Sequence, residues 1–162
     1  MKKLSIHKLL PWMAVILWMA LIFSLSHQPA SESSEMSSGI TKFVIEAAQQ
    51  VMPVTEADFD VLEHIVRKNA HFFIYLVLGV LVVRAFTKSG VHISKAIGSA
   101  IATCLLYAMS DEFHQLFIDG RSGEFRDVLI DSSGASLGII LYWFAGKMLR
   151  RNKQNVLHHE QV

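Results

Sequence analysis

Charged and polar residues are concentrated in the stretch SDEFHQLFIDGRSGEFRDVLIDSSG, residues 110–134, which lies between two strongly apolar stretches. It contains six carboxylates, two arginines and a histidine. Carboxylates and histidine are common general acids and bases and are also metal ligands, and arginine binds phosphate or carboxylate groups through paired N–H donors. These residue types indicate a polar site, whose chemistry depends on the elements that bring the side chains together.

Those elements are predicted to be membrane-spanning helices. The 162 residues are 52% hydrophobic and 18% charged, and the mean hydropathy is +0.37, which is more apolar than an ordinary soluble domain. Because a helix needs about 20 mostly apolar residues to cross the hydrocarbon layer, four apolar runs are interpreted as spans. The sequence predicts an all-α polytopic membrane protein, a single domain over residues 1–162 with spans at about 9–25, 69–86, 96–112 and 128–146.

Basic residues are distributed unevenly around these spans. Ten of the fifteen precede the first span, lie between the second and third, or follow the fourth: Lys2, Lys3, Lys8, Arg84, Lys88, Lys95, Lys147, Arg150, Arg151 and Lys153. Because Lys and Arg are enriched in cytoplasmic loops, these segments and both termini are predicted to be cytoplasmic. The outer segments are then residues 26–68 and 113–127.

The first outer segment is predicted to contain a loop, a short amphipathic helix and the start of the second span. Its opening, SHQPASESSEMSSG, is Ser-rich and typical of a loop. The apolar residues that follow at helical spacing are Ile40, Phe43, Val44, Ala47, Ala48 and Val51. Ser37 or Ser38 would cap this helix and Pro53 would end it. The helix either lies on the membrane surface or packs against the other helices. Thr55 and Asp58 then form a capping-box pattern, from which one unbroken helix would run into the second span.

Helical spacing places polar residues on one face of each of the last three spans. The three sets are Lys68, His71 and Tyr75; Tyr107, Asp111 and Gln115, with Glu112 on a neighbouring strip; and Asp127 and Asp131 with Gly134 and Gly138. Gly134 and Gly138 form a GxxxG motif, which allows close approach of another helix. Asp131 would lie about one turn inside the membrane, where a charge needs a partner because insertion costs roughly 2.5–3.5 kcal/mol at the centre and less near the edge. The sequence therefore predicts one shared polar cluster.

Four stretches carry a resemblance to a known family: FSLSHQPASES, RKNAHFFIYLVLG, SDEFHQLFIDGRSGEFRDV and DSSGASLG. Together they resemble the VanZ-like family, small four-helix membrane proteins named for a teicoplanin resistance determinant. The positions that match its pattern are Lys68, His71, Tyr75, Asp111, Glu112, Gln115, Arg121 and Asp127. Asp131 departs from the pattern, because the family more often has Asn there. The resemblance implies a bacterial cell membrane protein that lowers susceptibility to teicoplanin-type lipoglycopeptides, an antibiotic resistance phenotype of the cell envelope.

One function class is a binding module. Lys68, Arg121 and Arg126 would bind the anionic headgroup of an envelope lipid or peptidoglycan precursor, and the apolar helices would admit its tail. Arg121 lies in the turn-like IDGRSGEF and would be placed over the cluster. The predicted ligand-binding residues are Lys68, His71, Tyr75, Asp111, Glu112, Gln115, Arg121, Asp127 and Asp131. The remaining charged residues of this stretch, His114, Asp119, Glu124 and Arg126, are otherwise expected to be solvated.

Two other classes stay open. In an intramembrane enzyme, Glu112 or Asp111 would be the base and His71 an acid or metal ligand, so these three are the candidate catalytic residues. A metal-assisted version would also use Asp127 and Asp131, but the spacing matches no strong metal signature, and no metal or other cofactor is predicted. In a structural subunit, the charges would only hold the helices together.

Other functions are disfavoured by composition. The net charge is +1, and no basic face with interleaved aromatic residues is apparent, so no nucleic acid partner is predicted. The single cysteine, Cys104, permits neither a disulfide framework nor a thiolate cluster. Membrane lipids are the expected partners, and the oligomeric state is left open.

Overall fold

The computed structural model describes residues 6–49 and 56–159, and these residues form five α-helices. The helices are α1 (Ile6–Ser26), α2 (Ala30–Gln49), α3 (Glu56–Lys88), α4 (Ile93–Gln115) and α5 (Phe125–His159). Four segments are long and apolar enough to cross a membrane: Ile6–Ser26, His64–Lys88, Ile93–Gln115 and Phe125–Arg151. The predicted all-α polytopic membrane fold is therefore confirmed, and each spanning helix extends a few residues beyond the range expected from the sequence.

The outer surface of the bundle is apolar. Large side chains such as Leu17, Leu106 and Phe113 are exposed, whereas Leu78 and Ile139 are buried between the helices. In water this arrangement would leave an extensive hydrophobic surface uncovered. It suits a protein whose surroundings are lipid, because lipid tails are as apolar as the side chains that face them.

The backbones of α3 and α5 approach each other closely through glycines. A Cβ atom at Gly134 would collide with the carbonyl oxygen of Phe72, and one at Gly138 with that of Leu76. Gly79 on α3 faces the backbone of Ala135 in the same way. The GxxxG motif thus makes the close helix contact that its sequence predicts, and this contact fixes α3 and α5 at one height.

Helix α1 is attached to its neighbours by polar side chains. The indole Nε1 of Trp18 donates to the backbone oxygen of Ile74 at 2.9 Å, and the hydroxyl of Tyr107 donates to the backbone oxygen of Met19 at 2.6 Å. These bonds hold α1 against α3 and α4. They bring the end of α1 to the level where α4 ends and α5 begins.

The Ser-rich stretch after α1 is helical, and its interpretation as a loop was wrong for residues 30–39. The prediction that Ser37 or Ser38 caps the helix was also wrong, because α2 begins at Ala30. Pro29 immediately precedes α2, where its fixed φ favours helix initiation, and Glu32 in the first turn suits the helix dipole. The N–H of Ala30 donates to the backbone oxygen of Asp119 at 3.2 Å. Serine is only mildly unfavourable in helices, so a helix start held by a distant loop prevails over the local composition.

The amphipathic helix was expected either to lie on the membrane surface or to pack against the other helices, and the structure partly decides between the two. Helix α2 packs against α3, with Thr41 and Ile45 buried, whereas Phe43 is 74% exposed. Helix α3 continues without a break into the second span, as predicted. The predicted helix end at Pro53 and the capping residue Thr55 lie outside the described residues.

Candidate functional site

A polar pocket lies at the end of the bundle where α1 and α4 end and α5 begins. Its cavity volume is about 90 Å³. Three basic and four acidic side chains are among those that line it: Arg67, Lys68, Arg121, Glu112, Glu124, Asp127 and Asp131. The pocket therefore carries both signs of charge, and its chemistry depends on which of these groups are already paired.

Lys68 is paired across the pocket with the start of α5. Its Nζ donates to Oδ1 of Asp127 at 2.7 Å and lies 3.6 Å from Oε2 of Glu124. The short distance is that of a charge-assisted hydrogen bond. The prediction that Lys68 on α3 lies within hydrogen-bond reach of Asp127 on α5 is confirmed. The positive charge of Lys68 is, however, already balanced by carboxylates of the protein itself.

His71 faces Asp131 one turn deeper. Nδ1 of His71 lies 3.8 Å from Oδ2 of Asp131, which is an electrostatic contact but too long for a hydrogen bond. Asp131 is fully buried, and neither of its carboxylate oxygens has a hydrogen-bond partner among the described residues. Both side chains line the pocket.

Asp111 belongs to a second polar contact behind the pocket wall. Its Oδ2 accepts a hydrogen bond from Oγ of Ser26 at 2.8 Å and one from the hydroxyl of Tyr75 at 3.3 Å. Both Asp111 and Tyr75 are buried, and they are not among the residues that line the cavity. Three helices are joined at this carboxylate, so the structure brings Asp111 and Tyr75 near the predicted site without placing them in direct reach of a ligand in the pocket.

Glu112 reaches the pocket and is held by two donors. Its Oε2 accepts from the backbone N–H of Glu124 at 3.0 Å, and its Oε1 accepts from Nε2 of Gln115 at 3.4 Å. A Cβ atom at Gly123 would collide with the backbone oxygen of Glu112, so the loop passes directly over the end of α4. Glu112 and Gln115 thus form the wall of the pocket beside the loop that carries Arg121.

Arg121 lines the pocket, but it also stabilises the end of α1. Its Nε donates to the backbone oxygen of Gln28 at 2.8 Å and its Nη2 to that of Leu25 at 3.2 Å. A cation on the last carbonyls of a helix also interacts favourably with the helix dipole. Burial, and next the positive charge of Arg67, lower the pKa of Arg121, although a guanidinium stays protonated at neutral pH.

Arg67 is the second guanidinium at the pocket, and sequence reasoning missed it. Its only described polar contact is between Nη2 and Nδ1 of His64, at 3.4 Å. Among the described side chains no carboxylate forms an ion pair with Arg67 or Arg121. Arg67 lies four residues before His71, so helical spacing could have placed it on the same face of α3.

Two more contributors were not expected. Ser26, the last residue of α1, binds Asp111. Glu124, which was expected to be solvated, lines the pocket beside Lys68. Asp119 and Arg126 are exposed as expected, and the ring of His114 stacks on that of Phe23, away from the pocket.

The fold and this site define a polytopic membrane protein with a mixed-charge pocket between the ends of its helices. A model of the VanZ/LLP1 family matches residues 11–146. The chain therefore belongs to the VanZ/LLP1 family, and the resemblance that the sequence motifs indicate is confirmed. No significant match was found among curated proteins or among solved structures.

Proposed function

We propose that the pocket binds the anionic headgroup of a cell-envelope lipid or lipid-linked precursor. The observation that carries the proposal is the pair of guanidiniums, Arg67 and Arg121, which line one cavity without a carboxylate partner among the described side chains. The pKa of Arg121 is lowered first by burial and next by the positive charge of Arg67, so the two like charges repel each other. A bound anion would relieve this repulsion, and planar guanidiniums suit phosphate through paired hydrogen bonds.

The remaining charges of the pocket support the same proposal. Lys68 is already paired with Asp127 and Glu124, so Arg67 and Arg121 are the cations lining the pocket that have no ion pair with a described carboxylate. The pocket also lies at the end of helices whose outer faces are apolar. A lipid could place its headgroup among the guanidiniums and keep its tail against those faces.

The proposal includes an orientation and a phenotype. The distribution of basic residues favours cytoplasmic termini, which would put the pocket on the outer side of the membrane, where envelope precursors are used. Membership of the VanZ/LLP1 family motivates the expectation of lowered susceptibility to teicoplanin-type lipoglycopeptides.

Native mass spectrometry of protein extracted in a mild neutral detergent tests the proposal. We expect an anionic phospholipid or a polyprenyl-linked phosphate to remain bound in preference to zwitterionic lipid. Retention of zwitterionic and anionic lipids in their membrane proportions would contradict it. The enzyme alternative, with Glu112 as base beside His71, predicts instead that an added lipid is converted to a product of different mass.

A further inference from the structure

A second cluster lies at the deep end of the pocket, where His71 and Asp131 line the wall and Asp111 lies behind it. His71, Asp111 and Asp131 each offer one ligand atom, and the three atoms lie within 4.8 Å of one another. Three atoms with these separations can all be about 2.8 Å or less from a common point, close to the 2.3–2.6 Å of calcium–oxygen bonds and slightly wider than the 2.0–2.2 Å of smaller cations. Small side-chain rotations would suffice to bring them to coordinating distance.

The hydrogen bonding of the two carboxylates gives an independent reason to expect a cation. Both oxygens of Asp131 and Oδ1 of Asp111 are buried without a hydrogen-bond partner among the described residues. Asp131 is 0% exposed, and Asp111 is 3% exposed. Burying carboxylate oxygens that lack a hydrogen-bond partner is costly. Oδ2 of Asp111 has two donors, so the need for a proton or a cation is greatest at Asp131, and Oδ1 of Asp111 adds to it.

The chemistry of the three ligands favours a transition-metal ion. Imidazole suits Zn²⁺, Fe²⁺ and Ni²⁺, and carboxylate oxygens suit Mn²⁺, so one imidazole with two carboxylates fits a transition metal better than Mg²⁺ or Ca²⁺, which are bound by oxygen ligands. Two carboxylates would balance the charge of one divalent cation. Oδ2 of Asp111 is already held by Ser26 and Tyr75, which leaves Oδ1 for a metal and fixes the orientation of the carboxylate, as outer hydrogen bonds do in known metal sites.

We propose that His71, Asp111 and Asp131 bind one divalent transition-metal cation. The sequence had predicted no metal, because the ligands are distributed over three helices and their spacing follows no local motif. The proposal does not rest on lipid binding, since the cluster is defined by its own geometry. It does change the electrostatics of the pocket, because His71 and Asp131 line it and a bound cation would add positive charge to a wall that otherwise carries a carboxylate.

Mn²⁺ binding to purified protein tests the proposal. The protein in neutral detergent is stripped with a chelator and titrated with Mn²⁺, while the free ion is followed by electron paramagnetic resonance. We expect one saturable site, and pulsed measurements on the bound ion should show coupling to an imidazole nitrogen. Absence of a saturable site for Mn²⁺ and, in parallel calorimetry, for Zn²⁺ would overturn the proposal. So would a bound ion without nitrogen coupling.

Three variants locate the site. Asp131→Asn keeps the shape of the side chain, and His71→Gln removes the nitrogen ligand, so each should weaken Mn²⁺ binding at least about 10- to 100-fold. Asp119→Asn is the matched control, because Asp119 is an exposed carboxylate of the same outer loop that does not line the pocket. Its affinity should stay at the wild-type value. Unchanged binding in Asp131→Asn, or an equal loss in Asp119→Asn, would show that ions bind only to the charged protein surface and would overturn the assignment. The nitrogen coupling of the wild-type protein decides the question even if a variant does not fold.

Discussion

The ammonium group of Lys68 lies 2.7 Å from Oδ1 of Asp127 and joins α3 to α5 at the rim of the pocket. Deeper in the bundle, the same two helices touch through Gly134 and Gly138. An ion pair and a glycine contact therefore fix the relative height of the two helices. The positions of the other pocket residues follow from this arrangement, because α3 carries Arg67 and His71 and α5 carries Asp131.

The ion pair should contribute measurably to stability. Lys68→Met and Asp127→Asn each leave one partner without its counter-charge, and their double-mutant cycle should give a coupling free energy of about 0.5–3 kcal/mol. Glu124, 3.6 Å from the Lys68 ammonium, should retain part of the stabilisation in Asp127→Asn. Unfolding by sodium dodecyl sulfate measures the free energies. A coupling of zero would show that the pair is only a surface contact.

The glycine contact predicts a sharp difference between two positions on α5. Gly138→Ala should destabilise the bundle by about 1–3 kcal/mol, because the new Cβ would force α5 away from the carbonyl oxygen of Leu76. Gly146→Ala is the control on the same helix, since a Cβ there meets nothing within 4 Å. Gly146→Ala should leave the unfolding midpoint unchanged or raise it slightly, given the higher helix propensity of alanine. Equal effects of the two substitutions would contradict the close contact.

A third prediction concerns the hydrogen bond that ties α1 to α4. Ser26→Ala removes a donor to the buried carboxylate of Asp111 and should cost about 1–3 kcal/mol of unfolding free energy. Ser24→Ala, two residues earlier, removes only an exposed bond from Ser24 to the backbone of its own helix. Its effect should be close to zero. The same unfolding assay checks both variants, and a neutral Ser26→Ala would indicate that Asp111 finds its stabilisation elsewhere.

Much of the fold could be predicted from the sequence, because spans and helix faces depend on local patterns. Apolar runs identified the four spans, helical spacing brought Lys68 into register with Asp127, and the GxxxG motif identified the helix contact. The start of α2 could not be predicted this way, since its first N–H is bound by Asp119, some ninety residues away in the chain.

The sequence could predict which site residues share a face of one helix, but it could not predict the contacts between different helices. The contact of Ser26 with Asp111 and that of Arg121 with the end of α1 depend on how separate helices meet. The pattern could not show that Lys68 is already neutralised while Arg67 lacks a described carboxylate partner. The sequence shows which residues are charged, but which charges pair with each other depends on the tertiary structure.

The orientation of the bundle is a further prediction. The excess of basic residues in three of the segments implies that both termini are cytoplasmic. A reporter enzyme that is active only in the cytoplasm, joined after Val162, should therefore be active, and one that requires export should not. The reverse pattern would place the pocket on the cytoplasmic side and would remove the outer-envelope part of the proposed function.

The most direct test of the central claim compares two arginines in a lipid titration. Short-chain phosphatidylglycerol and, separately, phosphatidylcholine are added to the protein in neutral detergent, and bound lipid is counted by native mass spectrometry. Arg67→Gln should weaken phosphatidylglycerol binding by about tenfold or more, since a hydrogen bond between charged groups contributes about 1.5–3 kcal/mol, and phosphatidylcholine should bind weakly throughout. Arg126→Gln is the matched control, because Arg126 is an exposed arginine near the pocket that does not line it, and it should bind phosphatidylglycerol as the wild type does. Equal binding by wild type, Arg67→Gln and Arg126→Gln would contradict the claim that the guanidinium pair recognises an anionic headgroup.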